Sequence, residues 1–179
     1  MQDVDFTGTS ANYDWGVYNA VYNPRTNSTD APGTWRTLTQ LEWSYLLETR
    51  STASGVRYAK ATVNGVAGII IFPDNWNTTI YAIDSVNIGT ISYTANVITA
   101  AQWVSKLEYA GCIFLPAAGS RTSKSSFHVG QSGTYWASTG YGCQTGHNIN
   151  FQKTTCRFQY YQGNARYYGH SVRLVKDVK

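Results

Sequence analysis

The sequence predicts one α+β domain over residues 1–179, with two short helices and a twisted antiparallel sheet joined by long loops. Three observations favour this class. The 179 residues are enough for one domain with a core but few for two. Two segments carry helix-start signals. Many short apolar or alternating runs are separated by turn residues, and this mixture is typical of α+β domains.

Two capping boxes mark the helices. Thr39 is followed three residues later by Glu42, and Thr99 in the same way by Gln102, so that each pair satisfies the first free backbone amides of a helix. Gly111 fits the position that ends the second helix. The apolar residues expected to face the core are Leu41, Trp43, Tyr45, Leu46 and Leu47 in the first helix and Trp103, Val104, Leu107 and Ala110 in the second.

A hairpin is predicted between the helices. Asn64-Gly65, a pair suited to a type I′ turn, separates Tyr58–Val63 from Val66–Phe72, and the run of apolar residues before Pro73 favours a central strand. Residues 1–36 are rich in turn-forming types and predict loops with at most one short strand. The remaining predicted strands are Cys112–Leu115, Thr134–Ser138, His147–Phe151, Thr155–Tyr160 and His170–Val175.

Composition indicates a folded chain with a large supply of tyrosine. Hydrophobic residues make up 42% and charged residues 13%, with 14 Tyr and 6 Trp. Each buried phenol needs a hydrogen-bond partner, so this much tyrosine favours a contact surface. No apolar run approaches the ~20 residues that span a bilayer, and no nucleic-acid-binding motif is present. We therefore expect neither membrane insertion nor a nucleic-acid partner.

The net charge of +4 is unevenly distributed. Residues 1–108 hold nine acids and six bases, whereas residues 109–179 hold eight bases and one acid, Asp177. One interpretation is attraction to anionic partners such as acidic glycans. The other, which we favour, is that acids are merely missing from a region of scattered bases.

No catalytic or metal-binding motif stands out. The three histidines lie in the C-terminal part, where Asp177 is the only acid, so an imidazole would otherwise need an acid from the N-terminal part to orient it. Ligand spacings such as CxxC or HxxxH are absent. Oxygen-bearing side chains within 74–77 could hold calcium, but a turn after a strand explains them better. Three cysteines allow one disulfide, and a pair between Cys143 and Cys156 stays open. We expect no enzyme activity and no cofactor.

The segment 138–170 is the strongest functional signal. It is rich in Tyr, Asn, Gly and Thr and contains no Asp or Glu, as in a binding surface that mixes rigid aromatic anchors with adaptable polar groups. An ordinary loop-rich sheet end would have a similar composition. The candidate ligand-binding residues are Tyr141, Cys143, His147, Asn148, Asn150, Cys156, Phe158, Tyr160, Tyr161, Asn164, Tyr167, Tyr168 and His170.

Framework segments along nearly the whole chain resemble one known family, the Fibrobacter succinogenes major paralogous domain of gut Bacteroidetes and their phages. The resemblance implies a C-type-lectin-like fold. It also implies similarity to formylglycine-generating enzymes and to variable proteins of diversity-generating retroelements. The matching segments are Asp14–Gly16, Trp35–Thr39 with Glu42-Trp43, Tyr58–Val66, Phe72–Trp76, Leu107–Gly111, Phe114–Arg121, Gly133–Thr139 and Gly169–Val175.

The same resemblance implies that residues 139–170 correspond to the segment that retroelements diversify. Randomised adenines in Asn codons produce Tyr, Ser, Asn, Asp, His, Thr, Gly, Cys, Arg and several apolar types but not Glu, Lys, Met, Gln or Trp. The segment holds many of the reachable types and no Glu, Met or Trp. The residues that depart from this pattern are Gln144, Gln152, Lys153, Gln159 and Gln162.

The expected function is therefore ligand binding without chemistry, as a phage tail adhesin or a bacterial surface protein. The expected partner is a host or cell-surface protein or glycan. A fixed-specificity carbohydrate-binding domain is the alternative, and it would use the same tyrosines. An enzyme related to formylglycine-generating proteins is disfavoured, because no segment matches their cysteine motif. Arg166 and Arg173 are expected either to contact ligand or to pair with framework acids such as Glu42, with Arg173 assigned to the framework.

Overall fold

The computed structural model describes residues 14–24, 26–141, 144–158 and 163–177. Helix α1 is Trp15–Tyr18, α2 is Gln40–Ser44 and α3 is Ala100–Gln102. The strands are β1 Val21–Asn23, β2 Ser28–Asp30, β3 Arg36–Thr37, β4 Tyr58–Val63, β5 Val66–Ile71, β6 Val97–Ile98, β7 Ile113–Pro116, β8 Ser120–Thr122, β9 Ser125–Phe127, β10 Ser132–Tyr141, β11 Thr145–Gln152, β12 Cys156–Arg157, β13 Asn164–Ala165 and β14 Leu174–Val175.

The α+β class is confirmed, but the strands form several sheets instead of one. A first four-stranded sheet has the order β6-β4-β5-β7, with β6 parallel to β4 and the other pairs antiparallel. In a second sheet, β11 pairs with β10 along one edge and with the short strands β12 and β13 along the other. Three small ribbons pair β1 with β2, β3 with β14 and β8 with β9. Many of these strands are two or three residues long, too short to extend one continuous sheet.

Both predicted capping boxes are present. Thr39 Oγ1 accepts the Glu42 amide at 3.2 Å, and the Glu42 carboxylate accepts the Thr39 amide at 2.8 Å. Thr99 and Gln102 make the same reciprocal pair at 3.2 and 2.9 Å. Each helix then continues as a π-helical turn, over Tyr45–Thr49 after α2 and over Trp103–Glu108 after α3.

The apolar stripe predicted for the first helix is partly wrong. Trp43 and Leu47 are buried, but Leu41 is 72% and Tyr45 59% exposed. Residues four apart share a helix face, so Trp43 pairs with Leu47 and Leu41 pairs with Tyr45 on roughly opposite sides. In the second helix Leu107 is likewise buried, whereas Val104 is exposed.

The first sheet is buried on both faces, as the apolar run in β5 predicts. The predicted I′ turn joins β4 to β5, with positive φ at Asn64 and Gly65. Along β5 the side chains of Ile69 and Ile71 enter one apolar cluster and that of Ile70 enters another. The first cluster lies under α2 and the second sheet, and the second cluster under the α3 segment. The core therefore has two layers.

One buried cation joins the two sheets. Lys60 of β4 has no exposed surface, and its Nζ donates to the carbonyl oxygens of Gly89 and Gln152 at 2.5 and 2.6 Å. The Lys153 and Thr155 carbonyls lie at 3.3 and 3.4 Å. Burial lowers the Lys60 pKa, but the surrounding carbonyls accept hydrogen bonds only, which favours the protonated amine.

Polar contacts also attach both ends of the described chain, at Asp14 and Asp177, to strand β3. The buried Asp14 carboxylate accepts the backbone amides of Gly16 and Thr37 at 3.0 and 2.7 Å. Arg36 makes a bidentate ion pair with Glu42, with hydrogen bonds of 2.7 and 2.8 Å, and a second ion pair with Asp177. Glu42 is thus paired by Arg36 and not by the C-terminal arginines.

None of the described helices has the length and apolarity needed to cross a bilayer.

We predict that Lys60→Met destabilises the fold by about 3 kcal/mol or more, because it leaves several buried carbonyl oxygens without their donor. The free energy of unfolding from urea titration measures this. Lys124→Met is the matched control, since Lys124 is exposed in the β8–β9 turn, and it should change stability by less than about 0.5 kcal/mol. Equal effects of the two substitutions would contradict a structural role for Lys60.

Candidate surface for ligand recognition

The second sheet has one face in the core and one turned away from it. Tyr135 of β10 pairs with Ile149 of β11, and both are buried in the cluster under α2. Their strand neighbours Trp136 and Asn148 also pair with each other, and alternation places their side chains on the opposite face. Both are half-buried. This outer face carries the candidate surface.

Four rings form a row on this face, which we call the aromatic ladder: Trp136, His170, Tyr168 and Tyr167. The centroids of Trp136 and His170 are 4.5 Å apart. His170 and Tyr168 are parallel within 3° at 5.6 Å, and Tyr168 stacks on Tyr167 at 4.9 Å. Such spacings are those of favourable aromatic pairs. The ladder ends at Tyr167, which is 75% exposed.

The ladder depends on the backbone path of residues 169–171. The Ser171 amide donates to Thr134 O at 3.0 Å, and the Trp136 amide donates to Ser171 O at 2.9 Å. Gly169 and Arg121 exchange two backbone bonds of 2.7 and 2.8 Å. These bonds hold His170 over Trp136 without using side chains from the ladder.

A second set of bonds fixes the residues before the ladder. The Arg166 amide donates to Gln144 O, and Arg166 Nε donates to Thr145 O, both at 2.9 Å. A Cβ at Gly146 would lie 3.2 Å from a Trp136 ring carbon, so this glycine leaves room for the indole. Arg166 therefore links the chain before the ladder to the residues at the start of β11.

His170 lies in the middle of the ladder. Its Nε2 is 3.0 Å from Asn164 Nδ2, and its Nδ1 is buried without a hydrogen-bond partner. Burial lowers the pKa of His170 to about 4. The imidazole is therefore neutral at pH 7, where it acts as a flat ring with one polar contact to an amide.

The predicted site residues separate into groups. Asn148, Asn150, Asn164, Tyr168 and His170 are half-buried on or beside the outer face, and Tyr141 and Tyr167 are exposed. Asn150 Nδ2 donates to Thr134 Oγ1 at 2.9 Å. Cys143, Tyr160 and Tyr161 lie outside the described residues.

Two residues predicted to face a partner are buried instead. Phe158 is 3% exposed and packs edge-on against Tyr58 at 5.0 Å, inside the main apolar cluster. His147 is also buried and lies against the Tyr141 ring at 5.0 Å. Composition cannot distinguish an aromatic anchor on a surface from one that fills the core, and both of these side chains lie inside the described structure.

The described cysteines are free thiols. Cys156 is half-buried beside Lys60, and burial raises its pKa to about 11. Burial likewise raises the pKa of Cys112 to about 12. Because the thiolate is the reactive form, both are unreactive at neutral pH. Within the described ranges, no group of three or more His, Cys, Asp or Glu side chains could hold a metal ion.

Trp136 is the residue that the sequence-based site lacks. It directly follows Tyr135 in the same strand, and adjacent residues of a strand point to opposite faces. Once Tyr135 is assigned to the core, Trp136 must face outward, so strand alternation was the signal for it.

Comparisons of the chain with family models, curated proteins and solved structures found no match.

We predict that acidification destabilises the fold through His170. Its folded pKa of about 4 lies below its ordinary value of 6.5. Between these values the unfolded chain takes up a proton that the folded chain does not, so stability falls as the pH drops from about 6.5 to about 4. Urea unfolding at several pH values in this range should show that the free energy of unfolding depends less steeply on pH in His170→Gln than in the unmodified chain. His128→Asn is the control at an exposed histidine, and an unchanged slope in His170→Gln would contradict the assignment.

Proposed function

We propose that this chain is a ligand-binding domain whose aromatic ladder and adjoining asparagines contact a partner. The observation that carries the proposal is the ladder itself, with its outermost ring exposed and its backbone held by hydrogen bonds. A pre-organised aromatic surface loses little conformational entropy on binding, which favours affinity. The partner class that we propose is a host or cell-surface protein or glycan.

The family resemblance extends this proposal. The extended proposal has three parts. The chain has a C-type-lectin-like fold, it acts as a phage tail adhesin or bacterial surface protein, and retroelements diversify its residues 139–170. Backbone bonds at residues 166, 168, 169 and 171 support the last part, because the ring of Tyr167 takes no part in them. Exposed positions such as Tyr167 can then change without loss of the frame.

A fixed-specificity carbohydrate-binding domain is the second candidate. Asn164 and His170 place polar atoms next to the stacked rings. Apolar ring faces beside hydrogen-bonding groups suit a sugar, which has both C–H and hydroxyl surfaces. An oxidase of the formylglycine-generating type is not favoured, because the Cys112 and Cys156 pKa values lie far above neutral pH.

We predict that Tyr167→Ala combined with Tyr168→Ala weakens binding by about 10- to 100-fold, as loss of aromatic anchors in a binding surface does. A labelled chain of all 179 residues would be applied to a panel of gut Bacteroidetes cells and to a glycan array, with binding measured by fluorescence. The melting temperature should change little, since Tyr167 is mostly exposed and Tyr168 lies outside both apolar clusters.

Tyr45→Ala is the matched control for this experiment, because Tyr45 is exposed in the π-helical turn after α2 and makes none of the ring contacts of the ladder. It should bind as the unmodified chain does. Binding that survives the double substitution would refute the proposal, and a large fall in melting temperature would show that the ladder is structural.

We predict that the encoding locus shows adenine-linked differences within codons 139–170. Sequencing many copies from the source population, together with the neighbouring genes, tests this. The expected result is a near-copy of the segment beside a reverse-transcriptase gene, with differences concentrated at exposed positions such as Tyr167. Uniform codons, with no near-copy of the segment nearby, would contradict diversification and leave a fixed-specificity carbohydrate-binding domain as the remaining candidate.

A further inference from the structure

A second recess lies apart from the aromatic ladder. It is a cleft of about 930 Å³ between the π-helical turn after α3, strand β7 and the chain near β3 and β14. Volumes of about 300–1,000 Å³ are typical of small-ligand sites. Every described residue that lines it lies outside 139–170. We call it the aromatic cleft and define it by Trp35, Trp103, Glu108, Tyr109, Phe114 and Arg173.

Rings enter the cleft from two sides. Trp35 comes from the N-terminal side, where its Nε1 donates to Asp30 at 2.9 Å. Trp103 comes from the π-helical turn and packs edge-on against Phe114 at 5.8 Å. Both indoles are therefore held in place by neighbours. Tyr109 is 89% exposed at the same cleft, so its ring is available to a ligand.

Two opposite charges border the same space. Glu108 and Arg173 line the cleft, and in the described part of the chain neither forms an ion pair. A carboxylate accepts hydrogen bonds and a guanidinium donates several. Together they match a ligand that carries many hydroxyl groups, since a hydroxyl both donates and accepts.

We propose that the aromatic cleft binds a short oligosaccharide of pyranose sugars, independently of the aromatic ladder. The flat apolar faces of pyranose rings pack on Trp35, Trp103 and Tyr109, while their hydroxyls bond to Glu108 and Arg173. An extended peptide fits less well. The bordering strand β7 has four residues and ends at Pro116, which has no amide hydrogen to donate to an added strand.

The test uses the full chain and short homo-oligosaccharides of glucose, galactose, mannose and N-acetylglucosamine, with saturation-transfer NMR and tryptophan fluorescence as readouts. At least one sugar should bind. Tyr109→Ala should weaken that binding by about tenfold, as expected for loss of one stacking ring. Arg173→Gln should weaken it as well, and the melting temperature of both variants should stay unchanged, because both side chains are exposed.

Two control variants separate this site from the ladder. Tyr45→Ala and Tyr167→Ala should both bind the sugar like the unmodified chain. Loss of sugar binding in Tyr167→Ala, with no effect of Tyr109→Ala, would overturn the proposal and place the sugar on the ladder. Failure of all these sugars to bind, or capture of library peptides by the cleft instead, would also overturn it. These last two results, failure of the sugars and capture of peptides, do not bear on whether the ladder recognises its own partner.

Discussion

The Lys60 ammonium group is the contact on which the relation between the two sheets depends. It reaches from β4 to the carbonyls of the turn after β11 and to Gly89. A buried charge is costly unless hydrogen bonds replace its water shell. Those carbonyls meet the requirement only when the turn lies over β4, so the charge selects one position of the second sheet. Phe158, just beyond this turn, then packs against Tyr58.

Strand β11 connects this buried contact to the candidate surface. Its C-terminal end at Gln152 lies against Lys60, and its N-terminal end at Thr145 supports the Arg166 guanidinium. None of the four rings belongs to β11, but this strand pairs with β10, which carries Trp136, so the ladder lies beside a strand that has contacts at both ends. A recognition surface is most precise on a regular element supported by a second layer of contacts. The aromatic cleft has a similar base, because Trp103 and Phe114 pack beside a buried Leu107.

Local signals in the sequence were sufficient for part of this fold. The capping boxes at Thr39 and Thr99 and the Asn64-Gly65 turn depend on residues close in the chain, and all are present. Positions that depend on distant partners were not predictable in this way. Phe158 is buried because Tyr58 meets it, and Leu41 is exposed because nothing covers that side of α2 in the described structure.

The same distinction bears on which surface positions could vary. Backbone bonds at Gly169 and Ser171 hold the chain without any particular side chain, so a substitution at the exposed Tyr167 leaves them intact. Phe158 and His147 fill buried space, and Asn164 contacts His170. Replacing these would open a cavity or remove a polar contact. A segment diversified over 139–170 would therefore change the partner through its exposed rings while its buried residues kept the frame.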